Sequence, residues 1–81
     1  MFIHFKNNSE NIIVNAEQIV CISEFTYTGE CRVSIELTKG KIILSFENET
    51  KRASMINTIS NFISSGNKYI CIDVHRLIKT S

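Results

Sequence analysis

The chain has 81 residues, 43% of them hydrophobic, and nine basic against eight acidic residues give a formal net charge of +1. This length predicts one domain spanning residues 1–81, and such a domain buries only about 60% of the surface that its unfolded chain exposes. The balanced charge supplies no overall basic surface for nucleic-acid phosphates, and no stretch approaches the roughly 18 apolar residues that a membrane-spanning helix needs. The first residues contain no basic leader, so we expect neither secretion nor membrane insertion.

The first part of the chain predicts short strands separated by polar turns. Aromatic and β-branched residues favour extended backbone, whereas Asn, Ser and Gly favour turns. On this basis the sequence predicts strands at 2–5, 12–14 and 19–25, a polar turn at 6–11, a bend or single helical turn at 15–18 and a further turn at 26–30. The strand at 19–25 then continues into a central hairpin, which makes the arrangement an antiparallel meander.

Residues 31–46 form the predicted central hairpin, because two alternating segments meet there across a Gly-containing turn. With Lys39 and Gly40 at the tip, one face carries only apolar pairs, which are Leu37 with Ile42, Ile35 with Leu44 and Val33 with Phe46. A slip of one residue would put polar side chains in the core, so the alternation selects this register. The opposite face is polar except for Ile43.

After the hairpin the apolar period changes from 2 to 3.6, which predicts one main α-helix at about residues 49–65. The apolar stripe of this helix consists of Met55, Ile56, Ile59, Phe62 and Ile63. Asn48 is a favourable N-cap, and Gly66 is placed to end the helix. A strand at 69–74 follows, and the sequence does not predict the conformation of residues 75–81. The expected fold class is α+β, an antiparallel β-meander with one main α-helix and a C-terminal strand.

Several predicted strands are apolar on consecutive residues, so they place apolar side chains on both faces of a sheet. Such runs occur at 12–14, 19–22, 42–44 and 70–72. One helix covers only one face, and each uncovered Ile or Val would forgo about 1.5 to 3 kcal/mol of burial. We therefore expect a homodimer through the second face, with Ile43 and Ile13 as candidate interface residues. The alternative is that bends and terminal segments of the same chain cover this face.

The residues that could carry chemistry do not form a catalytic or metal-binding motif. The sequence contains no P-loop, dinucleotide-binding turn or H-E-x-x-H segment. Cys21, Cys31 and Cys71 are an odd set without a C-x-x-C pair, which favours reduced cysteines packed in the core of a cytoplasmic protein. Together with His4 and His75 they are too scattered to predict a metal site. We expect no cofactor and no metal.

Cys71, Asp73 and His75 share one face of the last predicted strand. Of all the residues in the sequence, these three most resemble a catalytic cysteine with a histidine base. Residues four apart on a strand lie about 13 Å apart, at about 3.3 Å per residue, which is beyond hydrogen-bond reach. We therefore predict no catalytic residues and no enzyme. His75 and the following Arg76 are expected at a solvated strand end, where a ligand or partner can reach them.

Basic residues surround the predicted hairpin and the start of the helix, with Tyr27 in the neighbouring loop. They are Arg32, Lys39, Lys41, Lys51 and Arg52. Such an arrangement is typical of a local phosphate-binding patch. Glutamates interleave with these basic residues, however, which favours an ordinary charged surface.

Two resemblances to known families rest on these segments. Residues 12–63 resemble the small FlbD-like proteins of bacterial flagellar operons, in Val14-Asn15 followed by Ile19 and Ile22 and then in Ser34-Ile35-Glu36-Leu37-Thr38-Lys39-Gly40-Lys41. Residues 12–76, through Tyr69-Ile70-Cys71-Ile72-Asp73-Val74-His75-Arg76, are similar to the sheet of LytTR-type DNA-binding domains, in which a helix leads into a strand ending in a His-Arg pair. The second resemblance implies that His75 and Arg76 are nucleic-acid contacts.

Two functions are compatible with these observations. The leading hypothesis is a small non-enzymatic binding module that self-associates through a sheet face and contacts another protein through its loops. The alternative is a DNA-binding regulatory module of LytTR-like type. In that module the residues contacting phosphates or bases would be Arg32, Lys39, Lys41, His75 and Arg76.

Overall fold

The computed structural model describes the backbone of residues 1–80 and the side chains of residues 1–78. These residues form seven strands, one short 3₁₀ helix at Ala16–Gln18 and one α-helix. In chain order they are β1 (Phe2–Lys6), β2 (Asn11–Asn15), β3 (Ile19–Tyr27), β4 (Glu30–Leu37), β5 (Gly40–Phe46), α1 (Glu49–Ser65), β6 (Tyr69–Asp73) and β7 (Arg76–Thr80). The predicted α+β class, with one main helix and a C-terminal strand, is confirmed.

The strands are divided between two sheets. β3, β4 and β5 follow each other antiparallel, as the sequence predicts, and β7 extends this four-stranded sheet beside β5. β1 and β2 form a three-stranded sheet with β6, which pairs parallel with β1. A parallel pair needs a long crossover connection, which here consists of all the chain from β2 to α1. Because the two paired segments are distant in sequence, no local pattern predicts their pairing.

One hydrophobic core collects side chains from both sheets and from α1. Side chains alternate between the two faces of each strand, so every second residue points toward this core. Members without exposed surface include Ile3 and Phe5 of β1, Val33 and Ile35 of β4, and Leu44 of β5. Because both sheets share the core, the opposite, outer faces of the sheets point away from it.

The helix α1 begins and ends where the sequence predicts. Asn48 is its N-cap, and the Asn48 side chain accepts a hydrogen bond from the backbone N–H of Lys51 at 2.9 Å. Gly66 adopts a left-handed conformation with φ of +76° at the other end, which a residue without Cβ adopts readily. The buried residues of the stripe are Met55, Ile59 and Phe62, whereas Ile63 is exposed.

No helix within residues 1–80 is long and apolar enough to cross a membrane.

The register predicted for the central hairpin is wrong by two residues. Ile35 lies opposite Ile42, not Leu44, and Leu37 lies opposite Gly40. The turn therefore consists of residues 38 and 39, and Gly40 follows it with φ of +108°. The turn residues in this arrangement keep negative φ and one glycine takes the positive φ after them, whereas a Lys-Gly tip would need positive φ at both positions. A slip of two residues preserves the alternation, so the predicted core face is correct.

Two features at the edges of the four-stranded sheet were not predicted. The register of β3 against β4 shifts between Ile19 and Cys21, which leaves Val20 outside the regular pairing and 63% exposed. Such an irregularity interrupts an edge strand and disfavours pairing with another chain there. At the opposite edge, residues 76–80 form β7, so most of the segment whose conformation the sequence did not predict is a strand. Ser81 lies outside the described residues.

Candidate functional site

The outer face of the three-stranded sheet carries several exposed apolar side chains. The register arranges its residues in three rows across β2, β1 and β6, namely Asn15, Phe2 and Tyr69, then Ile13, His4 and Cys71, then Asn11, Lys6 and Asp73. Phe2 is 46% exposed, Ile13 57% and Tyr69 55%. Ile13, one of the two predicted interface residues, therefore lies on an open surface that carries three exposed large apolar side chains among polar ones.

His4 lies at the centre of this face and contacts two neighbours on β6. Its Nδ1 atom is 2.9 Å from the Tyr69 hydroxyl and 3.8 Å from the Cys71 thiol. Its Nε2 atom is buried and has no hydrogen-bond partner among the described residues. The face thus presents one imidazole nitrogen and one exposed thiol side by side, and both are groups that bind soft metal ions.

The prediction that all three cysteines lie in the core is wrong. Cys21 and Cys71 are exposed, and Cys31 is only partly buried. The apolar runs that contain Cys21 and Cys71 alternate between two faces of a strand, and these two residues occupy outward positions while Ile72 beside Cys71 points inward. A consecutive apolar run shows that both faces are apolar but does not show which face the fold covers.

The pairing of His4 with Cys71 was missed by sequence reasoning. The two residues are 67 positions apart, and only the parallel pairing of β1 with β6 places them opposite each other. The sequence instead suggested comparing Cys71 with His75 on its own strand. Geometry excluded that pair, and the imidazole beside Cys71 comes from the other end of the chain.

A second cluster occupies the outer face of the four-stranded sheet. The register sets Arg32, Ser45 and Arg76 in one row across β4, β5 and β7. One carboxylate oxygen of Glu30 accepts a hydrogen bond from Arg32 Nε at 2.8 Å, and the other accepts one from Arg76 Nη1 at 2.8 Å. The ring of Tyr27 lies 4.7 Å from the Arg32 guanidinium, a cation–π contact. The predicted contact residues Arg32 and Arg76 are therefore close together, but both already bind the carboxylate of Glu30 in the same chain.

The two arginines lower the pKa of the Glu30 carboxyl group. The hydrogen bond from Arg32 lowers the pKa of Glu30 below its ordinary value of 4.5, while desolvation raises it by less and Arg76 lowers it further. Both arginines favour the ionised carboxylate, so Glu30 stays charged near neutral pH. Its contribution to stability is then fully present above pH 4.5 and is lost as the pH falls through the lowered pKa.

Glu30→Gln is expected to reduce the stability of the protein near neutral pH, because the substitution removes the charge that pairs with both arginines. The difference from wild type should shrink as the pH falls below 4.5, where the wild-type carboxylate is itself progressively protonated. Thermal unfolding followed by circular dichroism between pH 7 and pH 3 measures this difference. Glu10→Gln, in the exposed β1–β2 turn, is the matched control. A difference that stays constant across this pH range would contradict the assigned role of Glu30.

The other predicted contact residues lie away from this cluster. Lys39 and Lys41 are exposed at the β4–β5 turn, toward the opposite end of the sheet from Ser45. His75 lies between β6 and β7, where its Nδ1 atom is 3.9 Å from the Glu47 carboxylate. The five predicted contact residues thus do not form one continuous basic surface.

The two basic residues at the start of the helix also have partners in the same chain. Lys51 Nζ is 3.1 Å from the Glu47 carboxylate. Arg52 is buried, and its Nη1 atom donates to the carbonyl oxygen of Phe25 at 3.0 Å. The Nε atom of Arg52 is also 3.1 Å from a Glu24 carboxylate oxygen, although without hydrogen-bond alignment. Arg52 therefore fastens α1 to β3 and is not available to a phosphate.

An open groove of about 940 Å³ runs between α1, β6 and the β1–β2 turn. Its charged lining residues are Lys6, Glu47, Lys51, Asp73 and His75. Both basic and acidic groups line this groove, and Lys51 and His75 both lie within 4 Å of the Glu47 carboxylate. The lining therefore does not select an anionic or a cationic ligand.

The fold and the exposed side chains define a small α+β domain with two sheet faces that its helix does not cover. No family model, curated protein or solved structure matches this chain significantly. The resemblances to FlbD-like proteins and to LytTR-type domains stay predictions.

Proposed function

We propose that the chain is a small non-enzymatic binding module that forms a homodimer through the outer face of its three-stranded sheet. The observation that supports this most directly is the exposure of Phe2, Ile13 and Tyr69 in adjacent rows of that face. Single exposed apolar side chains are common, but a group of them on one face is typical of an interaction surface. A second copy is a suitable partner because one self-complementary patch then serves both subunits.

The exposed apolar area sets the expected strength of this dimer. Complete burial of a large apolar side chain contributes about 1.5 to 3 kcal/mol, so covering the exposed half of each of these residues contributes on the order of 1 kcal/mol. Counted on both subunits, the apolar contribution is roughly 6 kcal/mol, against an association cost of at least about 4 kcal/mol. Even at the lowest association cost these three contacts leave only about 2 kcal/mol, a dissociation constant in the tens of millimolar, so a dimer at micromolar concentration needs contributions from the other side chains of this face.

Ile43, the other predicted interface residue, lies on the outer face of the four-stranded sheet. It is half-buried, and the register places it between Ser34 of β4 and Ile78 of β7. The C-terminal strand β7 thus extends the sheet beside β5 and does not cover this face. The surface around Ile43 offers a partner less apolar area than the surface around Ile13.

Ile13→Lys is expected to convert the dimer into monomers. The substitution places a charge in the interface, where the twofold symmetry brings a second, like charge close to it. Size-exclusion chromatography with light scattering, over a series of protein concentrations, measures the change. Ile43→Lys is the matched control, because it makes the same substitution on the other sheet, and it is expected to leave the dimer intact.

Two outcomes of this experiment would contradict the proposal. Loss of the dimer in Ile43→Lys, with the dimer kept in Ile13→Lys, would assign the interface to the four-stranded sheet. A wild-type chain that stays monomeric at every concentration would remove self-association from the proposed function. Circular dichroism of each variant confirms that a monomer is a folded monomer.

DNA binding is the second proposed function, and the half-exposed Arg76 side chain together with exposed Lys39 and Lys41 favours it. We rank it below self-association because Glu30 already pairs with Arg32 and Arg76. A mobility shift with random duplex DNA at several salt concentrations tests it, since phosphate contacts weaken steeply as salt rises. Salt-sensitive binding of DNA by a chain that remains monomeric would favour this function over self-association.

A further inference from the structure

We propose that His4 and Cys71 form half of a zinc site, which a second copy of the chain completes as a Cys₂His₂ centre at the middle of the homodimer. This inference rests on the proposed self-association through the outer face of the three-stranded sheet, and it names the ligand of that interface. Four tetrahedrally arranged Cys and His ligands are a common composition of structural zinc sites.

The spacing of the two side chains fits the separation of two ligands on one zinc ion. Zn–S and Zn–N distances of about 2.3 and 2.0 to 2.1 Å, at a tetrahedral angle, separate the two ligand atoms by about 3.6 Å. The observed distance from Cys71 Sγ to His4 Nδ1 is 3.8 Å. Nδ1 is the ligating nitrogen because it faces Cys71, whereas Nε2 is enclosed by the protein. The Tyr69 hydroxyl also lies 2.9 Å from Nδ1, so an ion held between His4 and Cys71 replaces the hydrogen bond between His4 and Tyr69.

One chain supplies only these two ligands. Among the described side chains of residues 1–78 no three metal-binding groups converge, so a closed tetrahedral site needs further ligands from outside this part of the chain. His4 lies on the central strand and in the middle row of the exposed face, so a twofold axis through the centre of this face brings both copies of His4 and Cys71 together. Sheets that pack face to face are about 10 Å apart, and side chains from both sheets meet between them.

The proposed zinc centre carries no net charge, and its formation releases protons from the two thiols. Each Cys71 thiol releases its proton when sulfur binds, and each His4 ligates as a neutral imidazole, so one Zn²⁺ and two thiolates give a neutral centre and two protons are released. No net charge is buried in the interface, and the metal adds to the weak apolar contacts. Zinc should therefore shift the monomer–dimer equilibrium and not the folding of the monomer.

Zinc titration of the metal-free protein, followed by calorimetry and light scattering, tests the site. We expect one zinc ion per two chains and a dimer dissociation constant at least about tenfold lower with zinc than without it. Cys71→Ser and His4→Gln are each expected to abolish both effects. Cys21→Ser is the matched control, because Cys21 is exposed on the other sheet, and it should behave as wild type.

The outcomes separate this site from the self-association on which it rests. A dimer that forms through Ile13 but binds no zinc would overturn the metal site and leave the proposed function intact. A chain that is monomeric with and without zinc would overturn both. One zinc ion per chain without dimerisation, or half-equivalent binding that persists in Cys71→Ser, would also overturn the site. Circular dichroism of Cys71→Ser and His4→Gln shows whether a loss of binding occurs in folded protein.

Discussion

Phe5→Ala is expected to lower the free energy of unfolding by about 3 to 5 kcal/mol. Phe5 has no exposed surface and lies on the central strand of the three-stranded sheet, between Ile12 of β2 and Ile72 of β6. Its ring fills the core that this sheet shares with the rest of the domain. A domain of this length has a total stability of roughly 4 to 12 kcal/mol, so the substitution removes a large part of it and lowers the urea midpoint strongly.

Phe2→Ala is the matched control for Phe5→Ala, because it removes the same ring from the other face of the same strand. Phe2 is 46% exposed, and we expect a loss of about 1 kcal/mol or less. Urea unfolding followed by circular dichroism, at concentrations low enough to keep the protein monomeric, compares the two variants. Equal losses would show that the three-stranded sheet does not bury the Phe5 face in the common core.

Ile35→Ala is expected to cost about 2 to 5 kcal/mol of unfolding free energy. Ile35 has no exposed surface and lies between Ile22 and Ile42 in the middle of the four-stranded sheet. Truncation leaves a cavity there that neighbouring strands cannot close, since their hydrogen bonds hold them in register. Ile43→Ala, on the outer face of the same sheet, is the control and should cost less. Denaturant unfolding of both variants measures the difference.

The same hairpin allows a direct test of the register. Cross-strand nuclear Overhauser effects should connect Ile35 with Ile42 and Val33 with Leu44. Contacts that place Ile35 opposite Leu44 would restore the register with Lys39 and Gly40 at the tip. Both registers keep the same side chains in the core, so the loss of stability in Ile35→Ala does not distinguish them.

The helix was predictable in full because its signals are local. The apolar period, the Asn48 cap and the Gly66 terminus all act within a few residues of the helix, and α1 has the predicted bounds. The alternation of the hairpin likewise predicted which faces of β4 and β5 are buried. Its register was not predictable from alternation, because a slip of two residues leaves every side chain on the same face and the conformation of Gly40 decides between the two.

The sequence by itself thus determined the helix, the order of most strands and the inward side of the central hairpin, since each depends on the pattern of neighbouring residues. Only the tertiary structure decided which apolar faces are covered and which side chains meet on the open ones. His4 and Cys71 are 67 residues apart, and Glu30 and Arg76 are 46 apart. Both contacts depend on the order of strands in a sheet. That order is selected by burial in the whole core, to which each strand contributes only a part, so no single segment of the sequence encodes it.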